Sequence, residues 1–513
     1  MSDNPRMRGA ASQPRALHTY LAAALVFGAS AAVLVLEITS LRLIAPYVGI
    51  TLETNTAVIG FALAAIALGA WAGGRAADEH NPRRLIGPLL LIGGVLVLAI
   101  TPIVRFVAEW VGPTQADSAA LLLAAVTVFA PAALLSAIPP MVVKLQLASL
   151  SETGSVVGRL SGISTLGAIV ATFLTGFVLV ALVPTSVILL GTGGLLAIAG
   201  LAMGLAARES GTTGGSGAVR RRTAASLILI LVAAGLGVLA PQPCDTETRY
   251  HCASVEIDPV RDGGRLLILD TLRHSYIDLE DPTHLEFAYA RAIAAALDVQ
   301  AAPGAPLAVM HVGGGGMTLP RYLLETRPGG VNHVLEIDAG VVAVDRERLA
   351  LPDDEHLQVT VGDGRVGLAQ APSQRFDVVV GDAFGGVAVP WHLTTQEAVA
   401  DVSRVLAPAG LYALNLIDHA PLDFARAEIA TIASIFDHVL VISPRGSLSG
   451  ESGGNIVVLA SQQPLDRDAI GAGLLDRSTP MSMVTPAALV DFLGRNPLIL
   501  TDDFAPVDQL FTR

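Results

Sequence analysis

The sequence predicts a multi-span α-helical membrane domain followed by an α/β Rossmann-like domain that has a parallel-rich sheet and a small N-terminal antiparallel β unit. Of the 513 residues, 52% are hydrophobic and only 15% are charged, whereas a soluble domain carries about 25% charged residues. Acidic residues are scarce before residue 240 and frequent after it. From residue 250 onward, short apolar runs alternate with amphipathic patterns, which is typical of an α/β domain.

Seven apolar stretches in the first half are candidates for membrane-spanning helices. A helix needs roughly 20 apolar residues to cross the bilayer core. The stretches cover residues 17–36, 56–74, 85–104, 119–137, 162–182, 186–206 and 224–240. The last stretch is the shortest. Because the first apolar run is long and further spans follow it, we do not expect a cleaved signal peptide.

Basic residues predict the orientation of these spans, because cytoplasmic loops carry an excess of Lys and Arg. With the N-terminus inside, twelve basic residues lie in inner segments and two, Arg42 and Arg105, lie in outer loops. The inner ones are Arg6, Arg8, Arg15, Arg75, Arg83, Arg84, Lys144, Arg159, Arg208, Arg220, Arg221 and Arg222. With seven spans, the C-terminal domain is then outside the cytoplasm.

Two cysteines follow the last apolar stretch, and the chain has no others. Cys244 and Cys252 are close in sequence. Such a pair indicates a disulfide in an oxidising compartment, although two unpaired small residues are the simpler alternative. A structural zinc site normally has four ligands, so we do not expect a metal here.

The C-terminal half predicts strands separated by helices. The strands are expected at residues 307–312, 331–337, 357–361, 376–380 and 410–416, and the helices at 319–324, 340–349 and 395–406. Ahead of them, segments 254–257, 265–269 and 275–278 predict the antiparallel β unit. We divide the chain into an inner tail (1–16), a transmembrane domain (17–240), a β unit with a linker (241–306) and a Rossmann-like domain (307–513).

Glycines and acids stand where these parallel strands end. A glycine run that includes Gly313 follows the first strand, and glycines there allow a ligand to approach the backbone and a helix N-terminus. The next strands end at Glu336-Ile-Asp338, Asp363-Gly-Arg365 and Asp382-Ala-Phe384. Each acid alone is typical of a helix cap. Together they predict a nucleoside site, because open α/β sheets bind ligands at the carboxyl edge.

The order of these motifs resembles the spermidine synthase (polyamine aminopropyltransferase) family, in its bacterial membrane-fused branch. Besides the glycine loop and the three acidic strand ends, the resemblance rests on Leu269-Asp270 and His274-Ser-Tyr276 in the β unit. Segments 281–286, 391–397 and 500–507 resemble that branch in particular. The resemblance covers roughly residues 250–511. It implies that this part of the chain folds as a methyltransferase-type α/β domain and that the protein belongs to the bacterial cytoplasmic membrane.

The resemblance also implies roles for individual residues. The ligand would be decarboxylated S-adenosylmethionine or S-adenosylmethionine, used as a substrate without a metal, and Asp382 would be catalytic. Residues implied in binding this ligand are His274, Gly313, Gly314, Gly315, Glu336, Asp338, Asp363 and Gly364. The acceptor would be a polyamine such as putrescine or another amine, in contact with Asp270, Tyr276 and His284.

The sequence departs from the family pattern at several positions. Thr271 and His274 replace the Gly and Gln of Leu-Asp-Gly-x-x-Gln, and the Tyr-His-Glu signature appears as Thr283-His284-Leu285. Gly315 replaces the loop Asp that holds the aminopropyl ammonium, and the Asp-Pro-x-Gly-Pro-Ala run is absent. A buried ammonium needs an acidic partner. Candidate replacements are Asp270, Asp278, Asp281 and Glu286.

Three functions remain open at this point. The first is a membrane-bound spermidine synthase-like transferase that moves an aminopropyl group from decarboxylated S-adenosylmethionine to putrescine. The alternatives are an S-adenosylmethionine-dependent methyltransferase and a non-catalytic polyamine transporter or sensor. Besides the amine, we expect the lipid bilayer as a partner, and a homo-oligomer is an open question. Nucleic acid is not expected, because a net charge of −13 offers no basic face for phosphate.

One tension concerns the location of the ligand. S-adenosyl compounds are made in the cytoplasm, whereas the basic residues put the C-terminal domain outside. Either the membrane half delivers a substrate, or the seventh span is misread, or the domain no longer uses that ligand.

Overall fold

The computed structural model describes residues 17–48, 52–111, 121–147, 152–209, 216–240, 242–270, 272–383, 390–444, 446–449 and 453–511. The chain forms two compact units, the first ending at Gln242 and the second beginning at Pro243. This boundary lies next to the one that the sequence predicts, between residues 240 and 241.

The first unit consists of long apolar helices. A helix satisfies its own backbone polar groups, so such sequences form helices where water is absent. The helices are α1 (Thr19–Val48), α2 (Leu52–Glu79), α3 (Pro82–Val111), α4 (Leu121–Gln146), α5 (Thr153–Leu182), α6 (Thr185–Glu209) and α7 (Ser216–Leu239). Helices α1 to α6 are long and apolar enough to cross a membrane, and α7 has a shorter apolar part, Thr223–Leu239. Each of the seven predicted apolar segments thus falls on a helix over the residues that the structure describes, apart from a few residues at the segment ends.

Glycines bring α3 and α6 into close contact. A Cβ atom on Gly87, Gly94, Gly193 or Gly200 would collide with the backbone of the facing helix. Small residues allow two helix backbones to approach this closely.

Two side-chain contacts join helix ends on one side of the helical unit. Nε2 of Gln146 donates to the carbonyl oxygen of Leu17 at 2.7 Å, which joins the end of α4 to the residues before α1. Nζ of Lys144 lies 2.6 Å from Oδ1 of Asp78, which joins α4 to the end of α2.

Arg105 joins two helix ends on the other side. This side chain is buried near the end of α3. Its Nη1 donates to the carbonyl oxygen of Ala240 at 2.8 Å, and its Nη2 donates to Oε1 of Gln242 at 3.1 Å. Helix α3 starts directly after α2 ends and runs for 30 residues. The ends of α3 and α7 therefore lie opposite the end of α4.

The second unit begins with a small antiparallel sheet in the order β1-β2-β3-β4. Its strands are β1 (Thr246–Glu247), β2 (Cys252–Ile257), β3 (Gly264–Leu269) and β4 (Leu272–Asp278). The three predicted strands are confirmed, and β1 is added before them. The predicted disulfide between Cys244 and Cys252 is also confirmed.

A second sheet of eight strands has the order β12-β10-β11-β9-β8-β5-β6-β7. Its strands are β5 (Ala308–Val312), β6 (Val331–Glu336), β7 (Leu357–Val361), β8 (Phe376–Gly381), β9 (Leu406–Asp418), β10 (His438–Pro444), β11 (Gly454–Ser461) and β12 (Met481–Met483). Strands β5 to β9 pair in parallel, as predicted. Strands β10 to β12 were not predicted, and they make the sheet mixed because they pair antiparallel.

Helices cover both faces of this sheet. They are α8 (Ala288–Gln300), α9 (Thr318–Thr326), α10 (Ala339–Arg348), α11 (Gly364–Gln370), α12 (Gln396–Val405), α13 (Asp423–Ala433), α14 (Arg467–Asp476), α15 (Pro486–Leu493) and α16 (Val507–Leu510). Ile293 of α8 packs in one apolar core, and Phe424 of α13 packs in the core of the opposite face. The carboxyl edge of β5, β6 and β8 remains as the place for a ligand.

Candidate active site

A cavity of about 290 Å³ lies at the carboxyl edge of the central strands of the second unit. Its volume is close to the lower end of the range for small-molecule sites, about 300 Å³. Most of the predicted site residues line it: Asp270, His274, Gly313, Gly314, Gly315, Glu336, Asp363, Gly364 and Asp382. The ends of the parallel strands and the antiparallel β unit bring these residues together although the sequence separates them widely.

The glycine loop between β5 and α9 needs its glycines for steric reasons. Gly313 and Gly315 have positive φ angles of 98° and 49°. A Cβ atom on Gly313 would collide with the backbone of Asp382. The loop can therefore pass directly beside the end of β8, where Asp382 stands.

Glu336 at the end of β6 holds this loop. Its Oε2 accepts hydrogen bonds from the backbone N–H groups of Gly314 at 2.9 Å and Gly315 at 3.1 Å. Its Oε1 accepts from the N–H of Asp338 at 2.9 Å. The carboxylate thus fixes the loop while it also forms part of the cavity wall.

Asp382 is held by two polar side chains. Its Oδ1 accepts from Nδ2 of Asn415 at 2.8 Å, and its Oδ2 accepts from the hydroxyl of Tyr289 at 3.1 Å. Burial raises the pKa of Asp382 to about 6, and the two hydrogen bonds limit the rise because they favour the ionised form. A carboxylate with this pKa can accept a proton near neutral pH.

An Asp–His pair forms another part of the wall. Nδ1 of His251 lies 3.1 Å from Oδ2 of Asp270. Oδ1 of Asp270 accepts from the backbone N–H of Cys252 at 3.0 Å. Burial disfavours the charged imidazole, but the hydrogen bond and charge of Asp270, with the charges of Asp338 and Glu336, outweigh it and raise the pKa of His251.

His274 occupies the space opposite Gly315. A Cβ atom on Gly315 would lie 2.8 Å from both Nδ1 of His274 and Oγ of Ser275. Burial, and then the neighbouring His251, lower the pKa of His274 to about 4, so this imidazole is neutral at pH 7. An aspartate at position 315 would therefore require His274 to move.

Asp363 also lines the cavity, at the start of α11. Its Oδ1 accepts from the N–H of Val366 at 3.1 Å, which caps the helix, and its Oδ2 lies 3.2 Å from Nε2 of His392. Both side chains are about one-third exposed. They can still contact a ligand. In the part of the chain that the structure describes, no cluster of His, Cys, Asp or Glu is arranged to hold a metal ion.

Three predicted binding residues lie outside the cavity wall. Asp338 is fully buried, caps α10 through the N–H of Gly340 at 2.8 Å and accepts from the hydroxyl of Thr248. The hydroxyl of Tyr276 donates to Asp258 at 2.6 Å. His284 lies 3.1 Å from a carboxylate oxygen of Glu286 at the surface.

Of the four acids that could replace the missing loop Asp, only Asp270 lines the cavity. Asp278 and Asp281 form ion pairs with Arg261, and Glu286 pairs with His284. The acids outside the cavity already have partners of their own.

Tyr289, Asn415 and His251 are among the site residues that sequence reasoning missed. Tyr289 lies on α8, six residues after the Thr283 that was matched to the family tyrosine, and its hydroxyl reaches Asp382. Asn415 lies within the predicted strand β9, where a single polar residue in an apolar run was the available signal. His251 lies inside the disulfide loop, next to Cys252, and only that position could have drawn attention to it.

Comparisons with known proteins agree with this architecture. No family model matches the chain. A polyamine aminopropyltransferase of Vibrio vulnificus is 27% identical over 218 residues, which cover 40% of this chain and 70% of that protein. An eEF1A lysine and N-terminal methyltransferase of Danio rerio is 30% identical over 121 residues, 22% of this chain and 18% of that protein.

Among solved structures, a probable spermidine synthase from Corynebacterium glutamicum has 30% sequence identity and a TM-score of 0.47, and the match covers 50% of this chain and 95% of that one. With its sequence similarity to these proteins, the chain belongs to the spermidine synthase-like family.

Proposed function

We propose that the C-terminal domain transfers a carbon group from an S-adenosyl sulfonium donor to an amine, with Asp382 as the proton acceptor. The position of Asp382 carries this proposal. It lies beside the glycine loop in a cavity that Glu336 and Asp363 also line, and its raised pKa suits proton transfer near neutral pH.

The residues of the cavity suit such a donor. Backbone N–H groups of a glycine loop at a helix N-terminus can contact its polar tail. Glu336 and Asp363 stand at strand ends where acids bind sugar hydroxyls and base edges. These groups would hold the donor in line with the amine, and orientation of this kind supplies much of the rate of a displacement.

In the reaction, the neutral amine attacks a carbon bonded to the sulfonium. The C–N bond forms as the C–S bond breaks, its electron pair goes to sulfur, and a neutral thioether leaves. The amine proton passes to Asp382. Tyr289 and Asn415 hold the carboxylate for this step by donating to its two oxygens.

The name of the Vibrio vulnificus relative, a polyamine aminopropyltransferase, favours aminopropyl transfer. The donor would then be decarboxylated S-adenosylmethionine and the acceptor putrescine. Methyl transfer from S-adenosylmethionine is a second candidate, because the methyltransferase of Danio rerio is also similar in sequence. Both reactions use the same sulfonium and the same proton acceptor.

The test uses the full chain purified in detergent. Calorimetry measures the binding of both S-adenosyl ligands, and mass spectrometry follows the products formed with putrescine and other amines. We expect binding and turnover, with turnover reduced by about 10² to 10⁴ in Asp382→Asn. Asp353→Asn, an exposed acid outside the cavity, is the control. Binding of neither ligand would refute the proposal.

We also propose that α1 to α7 cross the bacterial cytoplasmic membrane and that the C-terminal domain lies outside the cytoplasm. Twelve inner and two outer basic residues support this orientation. The contact of Arg105 with Ala240 supports a seventh crossing, because it keeps the end of α7 with the end of α3. The disulfide agrees with an oxidising compartment.

A further inference from the structure

The part of the cavity beside Gly315 bears on the identity of the donor. It lies between the glycine loop and the β unit, where His251, Asp270 and His274 line the wall. If the cavity binds an S-adenosyl donor, as proposed above, the amino-acid tail of the donor lies against the glycine loop. The inference that follows rests on that proposed function.

Among the described residues, this part of the wall contains no acid without a partner in the protein that could favour a donor with a purely cationic tail. Gly315 has no side chain, and His274 occupies the space beside it. The carboxylate of Glu336 already accepts three backbone hydrogen bonds. Asp270 is paired with His251 and with the N–H of Cys252. Glu336 and Asp270 therefore already have hydrogen-bond partners within the protein.

Two imidazole side chains, those of His251 and His274, line this part of the cavity, where the family has an acid on the glycine loop. His251 donates from Nδ1 to Asp270, so Nε2 is the nitrogen that remains for a ligand. Nε2 donates in the imidazolium form, which Asp270, Asp338 and Glu336 favour because they raise the pKa of His251. His274 is a second ring on the same wall, and its Nδ1 lies 3.3 Å from Oγ of Ser275. Imidazole N–H groups donate hydrogen bonds, and a carboxylate accepts them strongly.

We propose that the donor is intact S-adenosylmethionine, that its carboxylate binds to His251 and His274, and that the transferred group is the 3-amino-3-carboxypropyl group. The amine attacks the tail carbon next to sulfur, the C–N bond forms and the C–S bond breaks. The electron pair stays on sulfur, 5′-methylthioadenosine leaves, and the amine proton goes to Asp382. No further reactant is needed.

The first test compares donors with the wild-type full chain in detergent. Calorimetry is expected to find that S-adenosylmethionine binds about ten-fold more tightly than its decarboxylated form, since a hydrogen bond to a charged group is worth about this much. Mass spectrometry is expected to find 5′-methylthioadenosine and an amine that carries a carboxylate. Tighter binding of the decarboxylated donor, or S-adenosylhomocysteine as the co-product, would overturn the proposal. Binding of neither donor would refute the proposed function itself.

Variants test the two imidazoles. His251→Gln is expected to weaken S-adenosylmethionine binding about ten-fold and to leave the decarboxylated donor nearly unchanged. The double variant His274→Gln with Gly315→Asp removes one ring and places an acid on the loop, and it is expected to reverse the preference. His333→Gln, which changes a histidine outside the cavity that contacts Thr360, is the control. Equal losses for both donors in His251→Gln would contradict the assignment.

Discussion

At the scale of single residues, Asp382 sets the expected pH dependence of turnover. Burial raises its pKa to about 6, and only the ionised carboxylate can accept the proton of the amine. The logarithm of kcat should therefore rise with pH and bend near pH 6. Rate measurements across pH 5 to about 8 check this, a window centred on the ionisation of the base. A curve without this bend in the wild type would contradict the role of Asp382.

Tyr289 tunes this carboxylate. Its hydroxyl donates to Oδ2 of Asp382, and this hydrogen bond lowers the pKa of the acid. Tyr289→Phe should therefore raise the pKa of Asp382 and move the bend of the rate curve to higher pH. Donor binding should change little, since the hydroxyl contacts the acid. Tyr322→Phe, on α9 and hydrogen-bonded to Asp298, should leave the curve in place.

The site residues that could be predicted are those at the ends of parallel strands. Glu336, Asp363 and Asp382 meet because parallel strands end at one edge of the sheet. His251 and Tyr289 could not be predicted in the same way. They come from the disulfide loop and from α8, and neither element has a fixed distance from the sheet edge in the sequence. Asp338 is an acid, as residues that bind sugar hydroxyls often are, but it lies at the start of α10 and caps this helix.

At the scale of elements, Glu336 joins β6 to the glycine loop. In Glu336→Gln an amide N–H₂ would face backbone N–H groups that now donate to a carboxylate. Unsatisfied buried groups cost about 1–3 kcal/mol each, so the melting temperature and the donor affinity should both fall. Thermal unfolding and calorimetry measure these losses. Glu347→Gln, on the exposed face of α10, should cause neither.

The disulfide loop also shapes the wall of the cavity. It carries His251, and the N–H of Cys252 binds Asp270. Replacing Cys244 and Cys252 with Ser should cost about 2–3 kcal/mol of stability through loop entropy and weaken donor binding. Thermal unfolding and calorimetry with and without a reductant check this. The reductant should affect the wild type and leave the double variant unchanged.

The strands that were predicted follow a sequence pattern that identifies them, and the strands that were missed do not. Strands β5 to β9 are short apolar runs separated by helical patterns, and this alternation is readable. Strands β10 and β11 are equally apolar, yet only residues 445–453 separate them. This antiparallel pair near one edge of the sheet breaks the strand–helix alternation, and its place in the sheet depends on the pairing of β11 with β9, which is distant in sequence.

At the scale of the whole molecule, the number of crossings decides where the cavity is. Alkaline phosphatase fused after Gln242 should be active, because this enzyme needs an oxidising compartment, and the same fusion after Glu79 should be inactive. Green fluorescent protein should give the reverse pattern. Fluorescence at Gln242 would mean six crossings and would place the domain in the cytoplasm, beside the usual supply of S-adenosyl compounds.

The position of the cysteine pair has a consequence for biogenesis. Cys244 and Cys252 are eight residues apart and follow α7. If the domain is exported, as proposed above, the two cysteines emerge before the remainder of the domain. Closure of such a short loop needs no contact with later residues. The covalent link can thus form while translation continues, and maturation of the exported half would proceed vectorially from its membrane anchor.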